Sequence, residues 1–190
     1  MLKTKNLLAS AAILTLLFSS GAHAAEAISQ DSAKAFLESN VSAWLNDATV
    51  IDAIKAQNAA HDGLSEDDVI ALDKKWRADD QDLISATTDN ALSTFLKDKQ
   101  DAGEGKFTEI FVMDNKGMNV GQSALTSDYW QGDEAKWQDS FGAGVDAIHV
   151  SDVEFDESSQ TYQVQISTTI SDGGAPIGAV TFGVDAESIE

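Results

Sequence analysis

The sequence predicts one α+β domain, and three observations carry that prediction. The apolar period changes from about 3.6 to 2 at a glycine-bearing loop, residues 101–105 (Asp-Ala-Gly-Glu-Gly). Helical patterning lies before that loop and strand patterning after it. Short turns join the later strands, which makes neighbours antiparallel and disfavours a doubly wound sheet. A length of 190 residues suits one core.

The chain opens with an export signal. Lys3 and Lys5 precede an apolar run over residues 7–18, and Ala22-His23-Ala24 is a small-x-small cleavage site, so cleavage is predicted after Ala24. The run is too short to span a bilayer. The mature domain is then residues 25–190, with a periplasmic location expected.

Residues 28–99 read as helical. Leu37, Val41, Trp44, Ala48 and Ile51 form one stripe, with Asn46-Asp47 as an interruption and Thr49/Asp52 spaced as a capping box. Asp62-Gly63 breaks the pattern. Ser65 and Asp68 form a second box flanked by a Leu64/Val69 staple, which starts a helix at Glu66 carrying Val69, Leu72 and Trp76. Asp79-Asp80 caps a further helix bearing Leu83, Ile84, Leu92, Phe95 and Leu96.

Residues 107–113 are apolar on both faces, as in a central strand. Asp114-Asn-Lys-Gly117 is a turn and 118–123 its returning strand. Residues 124–133 are loop-like. A short helix is predicted over 134–141, capped by Asp133, then a strand over 146–155. Over 161–171, Tyr162, Val164, Ile166, Thr168 and Ile170 alternate with polar residues, a half-buried strand. Asp172-Gly-Gly174 turns into a last strand over 176–185, with Pro176, the chain's one proline, at its start.

The charge excludes some partners. There are 12 Lys+Arg against 32 Asp+Glu, a net of −20. Removing the signal takes two lysines and leaves −22 over 166 residues. Nucleic acid and anionic lipid need clustered cations, so neither is expected, nor is membrane insertion after cleavage. With no Cys, disulfides, Cys-ligated metals and thiol catalysis are excluded.

Three segments resemble the Cache family of extracytoplasmic, PAS-like sensor domains, in its single-Cache form. One is the strand–turn–strand Ile110-Phe-Val-Met-Asp-Asn-Lys-Gly-Met-Asn-Val120. The second is Ser127-Asp-Tyr-Trp-Gln-Gly-Asp-Glu-Ala-Lys-Trp137, like the aromatic ligand loop of such domains. The third is the final hairpin from Gln165 to Gly183-Val-Asp185. The resemblance implies a PAS-like five-stranded antiparallel sheet, a long N-terminal helix with further helices packed on it, and a small-molecule pocket between sheet and loop. Most family members sit in membrane receptors. This chain is expected to be a stand-alone exported domain that hands its signal to a membrane receptor or transporter. The family's amino-acid motif has an Arg before its Trp-Tyr pair. Here Ser127-Asp128 stand there, so an amino-acid ligand does not carry over from the motif.

The candidate ligand-binding residues are Tyr129, Trp130, Lys136, Trp137 and Asp156. Beyond residue 100 there are 17 acidic residues and three basic ones, Lys106, Lys116 and Lys136. Lys136 lies between two tryptophans, where it can meet a ligand carboxylate. It can equally pair with Asp133 or Asp139 along its helix. Tyr129, Trp130 and Trp137 suit a pocket wall or an amine cage, and also a core plug. The resemblance puts Asp156 where a ligand amine is held; by its own context it is a turn residue. Asp152, Glu154 and Asp156 alternate on one strand face, read as solvated rather than as a calcium site, since no EF-hand spacing is present. His61 and His149 make a weak case for a metal. No catalytic motif, metal site or cofactor is expected.

The expected function is capture of a small organic molecule, a short carboxylate or amino-acid-like compound, for presentation to a membrane signalling or transport partner. The alternative is an interaction module that docks or homodimerises through its N-terminal helix.

Overall fold

A computed structural model describes residues 27–157 and 160–189. The signal and cleavage site expected from the sequence lie outside the described residues.

The helical half comprises α1 (Gln30–Asn40), α2 (Ser42–Leu45), α3 (Ala48–His61), α4 (Glu66–Arg77), α5 (Gln81–Thr88) and α6 (Ala91–Ala102). The long N-terminal helix is therefore a broken one. Val41 leaves helical geometry (φ −122°, ψ −39°), and Asp47 caps α3 by accepting the Thr49 N–H at 2.8 Å. Asp47 does the work expected of the Thr49/Asp52 box. The break also resets the helical phase, so α3 fully buries Val50 and Ile54 and leaves Ala48 exposed.

The Ser65/Asp68 box is present in both directions: Ser65 Oγ accepts the Asp68 N–H at 3.3 Å, and Asp68 accepts the Ser65 N–H at 3.0 Å. Asp80 caps α5 through the Leu83 N–H. The helix expected to continue to Leu96 instead stops at Asp89. Asn90 caps α6 by accepting the Ser93 N–H at 2.8 Å and donates to the Val120 carbonyl at 2.9 Å, which docks the break onto the sheet.

The strands are β1 (Phe107–Met113), β2 (Asn119–Gln122), β3 (Ile148–Val150), β4 (Glu154–Asp156), β5 (Thr161–Asp172) and β6 (Ala175–Asp185). Their order is β2-β1-β6-β5-β3, with β4 also on β5, and every pair is antiparallel. β3 and β4 are two pieces of the strand expected over 146–155. They follow one another along the outer edge of β5, so the sheet has five rows and the PAS-like arrangement holds.

One face of the sheet meets the helices. Ile110, Val112, Val164, Ile166, Val180 and Phe182 pack there against Phe36, Val50, Ile54, Leu92 and Leu96. Phe182 lies between the rings of Trp44 (5.8 Å) and Phe107 (5.7 Å). Strand alternation sends Phe111, Met113, Ala179, Thr181, Gln163, Gln165 and Ser167 to the other face. Tyr162 departs from the half-buried pattern: it is 52% exposed and stacks edge-on against Phe155 across the strand pair.

The connection from β2 to β3 covers that second face with α7 (Ala135–Gln138) and a 3-10 turn, Phe141–Ala143. The short helix is four residues long rather than eight. Glu134, not Asp133, occupies its N-cap and makes no side-chain cap bond. Among the described residues no helix is long and apolar enough to cross a membrane.

Candidate ligand-binding site

The site is organised by the turn after β1. Gly117 takes φ +83°, open to glycine, and a Cβ there would run into the Gly132 backbone. Asp114, fully buried, accepts the Lys116 and Met118 N–H groups on Oδ1 at 2.8 and 2.9 Å. Its Oδ2 meets Gln57 Nε2 and His61 Nδ1, both at 3.0 Å. Asp114 is thereby the pin between turn and α3, and His61 is its partner. Two tryptophans close over the same turn: Trp130 Nε1 donates to the Lys116 carbonyl at 2.8 Å and Trp137 Nε1 to that of Asp114 at 3.2 Å.

Tyr129 and Trp130 belong to the end of the loop nearest α4. Tyr129 is buried and stacks on Trp76 at 5.5 Å. Burial, then the Asp114 charge, push its hydroxyl above the usual tyrosine range. Asp73 on α4 accepts both the Tyr129 and Trp130 N–H groups, at 3.0 and 3.2 Å. Arg77 then bridges Asp73 (2.7 Å) and Asp128 (3.0 Å). The hydrogen bond to Asp73 raises the Arg77 pKa. Neither aromatic lines the cavity described next.

Lys136 and Trp137 sit over the sheet. Trp137 stacks on Phe141 at 5.0 Å and packs with Phe111, Met113 and Ala179. Lys136 projects over the Phe111 ring at 5.6 Å and pairs with Glu134 at 3.0 Å, neither of the partners expected for it. Beside it a cavity of ≈ 390 Å³ lies between α7 and the β3–β5 edge, lined by Glu134, Lys136, His149, Ser151, Asp152, Glu154, Gln163 and Gln165. Gln165 donates to Glu109 at 3.0 Å, and Gln163 accepts from Thr108. His149 Nδ1 stands 3.6 Å from Asp139.

Gln163, Gln165, His149 and Ser151 line the cavity, although no motif in the sequence singles them out. Asp152 and Glu154, read as a solvated face, are exposed as expected, and they also border the cavity. The signal for Gln163 and Gln165 was the polar set of the β5 alternation, which looks like a solvent face until α7 is laid over it. Asp156 sits in β4 opposite Thr161, outside that lining. Among the described residues no three His, Asp or Glu are placed to hold a metal ion.

A larger groove of ≈ 730 Å³ runs between α3 and the α5–α6 junction. It is lined by six alanines together with Thr49, Asp52, His61, Leu92 and Val120 and, among the described residues, by no Lys or Arg. Gln57 and Asn90 at its rim are committed to Asp114 and to β2 carbonyls. Of the two, the smaller cavity is the one lined by a lysine, the group a ligand carboxylate needs.

No family model matches the chain, and no curated protein matches it. Solved structures similar to it are sensor domains. That of the V. cholerae histidine kinase DctB is 13% identical, with a TM-score of 0.42, over 82% of this chain and 54% of that one. The sensory domain of the Campylobacter jejuni chemoreceptor Tlp3 is 15% identical, with a TM-score of 0.41, over 84% and 66%. The ligand-binding domain of the Pseudomonas aeruginosa amino-acid chemoreceptor PctC, in complex with GABA, is 14% identical, with a TM-score of 0.35, over 79% and 57%. The chain spans about half to two thirds of the length of these domains.

Proposed function

We propose that this chain is an exported sensor domain that binds a small organic molecule in the cavity between α7 and the sheet and presents its loaded state to a membrane signalling or transport partner. One observation supports this above the rest: Lys136, with its side chain only 15% exposed, stands in a cavity of small-ligand size ringed by amides and carboxylates. A ligand carboxylate would pair with Lys136. The lining sets this one lysine against Glu134, Asp152 and Glu154, so a ligand that also carries an amine is favoured over a simple carboxylate. Export rests on the signal pattern of residues 1–24.

A thermal-shift screen of the mature protein against carboxylates, amino acids, amines and calcium tests this reading. A ligand that binds only the folded state raises Tm. The expected hit is a carboxylate or amino-acid-like compound whose shift is lost in Lys136→Ala. A screen in which no such compound moves Tm would refute it.

A further inference from the structure

We infer that Glu134 holds the place of a ligand carboxylate on Lys136, so that a ligand enters by displacing it. The inference rests on the cavity being the ligand site. Glu134 and Lys136 are two residues apart, a spacing that does not bring side chains together along a helix. They meet because Glu134 occupies the N-cap with extended backbone (φ −107°, ψ 152°). An N-cap side chain ordinarily accepts an amide of the first turn. Glu134 makes no such bond and reaches Lys136 at 3.0 Å instead.

The two partners are unequally held. Lys136 is 15% exposed and lies over the Phe111 ring, whereas Glu134 is 38% exposed. The cation is the fixed member and the carboxylate the one that can swing to solvent. A ligand carboxylate thus competes with an internal one at a partly exposed pair, where the competing bond is weak. Glu134 sets a threshold that a ligand making further bonds, to Gln165 or Asp152 for instance, passes more easily than a bare carboxylate does.

The test titrates acetate and glycine, by calorimetry, into the wild type, Glu134→Gln, Asp152→Asn and Lys136→Ala. For acetate, which has no amine to meet Asp152, Asp152→Asn removes the same charge from the lining and reports the general field alone. The expected result is about fivefold tighter acetate binding in Glu134→Gln, the scale of a partly exposed ion pair. Asp152→Asn should gain at most about twofold, through screened charge. Lys136→Ala should lose binding of both probes. Equal gains in Glu134→Gln and Asp152→Asn, or no gain in Glu134→Gln while the wild type binds, would overturn the displacement and leave the site standing. Binding of neither probe to any of the four proteins would overturn the site together with it.

Discussion

Asp73 on α4 accepts the backbone N–H of Tyr129 at 3.0 Å, across 56 residues of sequence. The same oxygen takes the Trp130 N–H, and Arg77 holds the other oxygen. A single carboxylate thus ties the helical half to the start of the segment that roofs the cavity. Asp73→Ala leaves the buried Tyr129 amide without an acceptor and should cost about 2–3 kcal/mol in urea unfolding. Asp73→Asn keeps an acceptor oxygen and should recover part of that loss. Equal stability of Asp73→Ala and the wild type would show that the amides find other partners.

Tyr129 confers an alkaline sensitivity. Its folded pKa is raised by burial and by Asp114. The neutral phenol is therefore the favoured form, and its contribution is whole below the ordinary tyrosine value of about 10. It is lost as pH rises beyond that value toward the folded pKa. Tm followed from about pH 8 to pH 11 should fall less steeply in Tyr129→Phe than in the wild type.

The Ser65/Asp68 box gives the acid counterpart. Hydrogen bonds from Ser65 hold the Asp68 carboxyl below its ordinary value of 3.8. Its contribution is present above that value and lost as pH falls through the lower, folded pKa. Ser65→Ala should cost about 1 kcal/mol at neutral pH, the usual worth of a cap. The gap to wild type should narrow on acidification below about pH 4.

Phe182 fills the space between Trp44 and Phe107 with no exposure. Phe182→Ala should cost about 3–5 kcal/mol, transfer plus cavity. Phe182→Leu should cost appreciably less, because more of the volume is kept. Denaturant midpoints with unchanged slopes are the measurement.

Lys136→Ala should weaken binding of a carboxylate ligand by about 1.5–3 kcal/mol, the scale of a charge-assisted bond. Unchanged affinity in calorimetry would remove Lys136 from the site.

The sequence by itself determined the α+β class, the change of period at residues 101–105, the turn at Asp114–Gly117 and the capping box at Ser65. The turn and the box are rules acting within about four residues, where backbone geometry leaves few alternatives, and the class follows from hydrophobic period read along the chain. It also carried the polar alternation of Gln163 and Gln165, but not the sign of its meaning. A polar strand face reads the same whether water or another layer lies over it. Only the tertiary structure put α7 above that face, gave Lys136 to Glu134 rather than Asp133 or Asp139, and carried Tyr129 away from the cavity to Trp76. Those outcomes depend on sheet pairing that brings residues 134–136, 149–154 and 163–165 together. No local spacing records a meeting between segments so far apart in the chain.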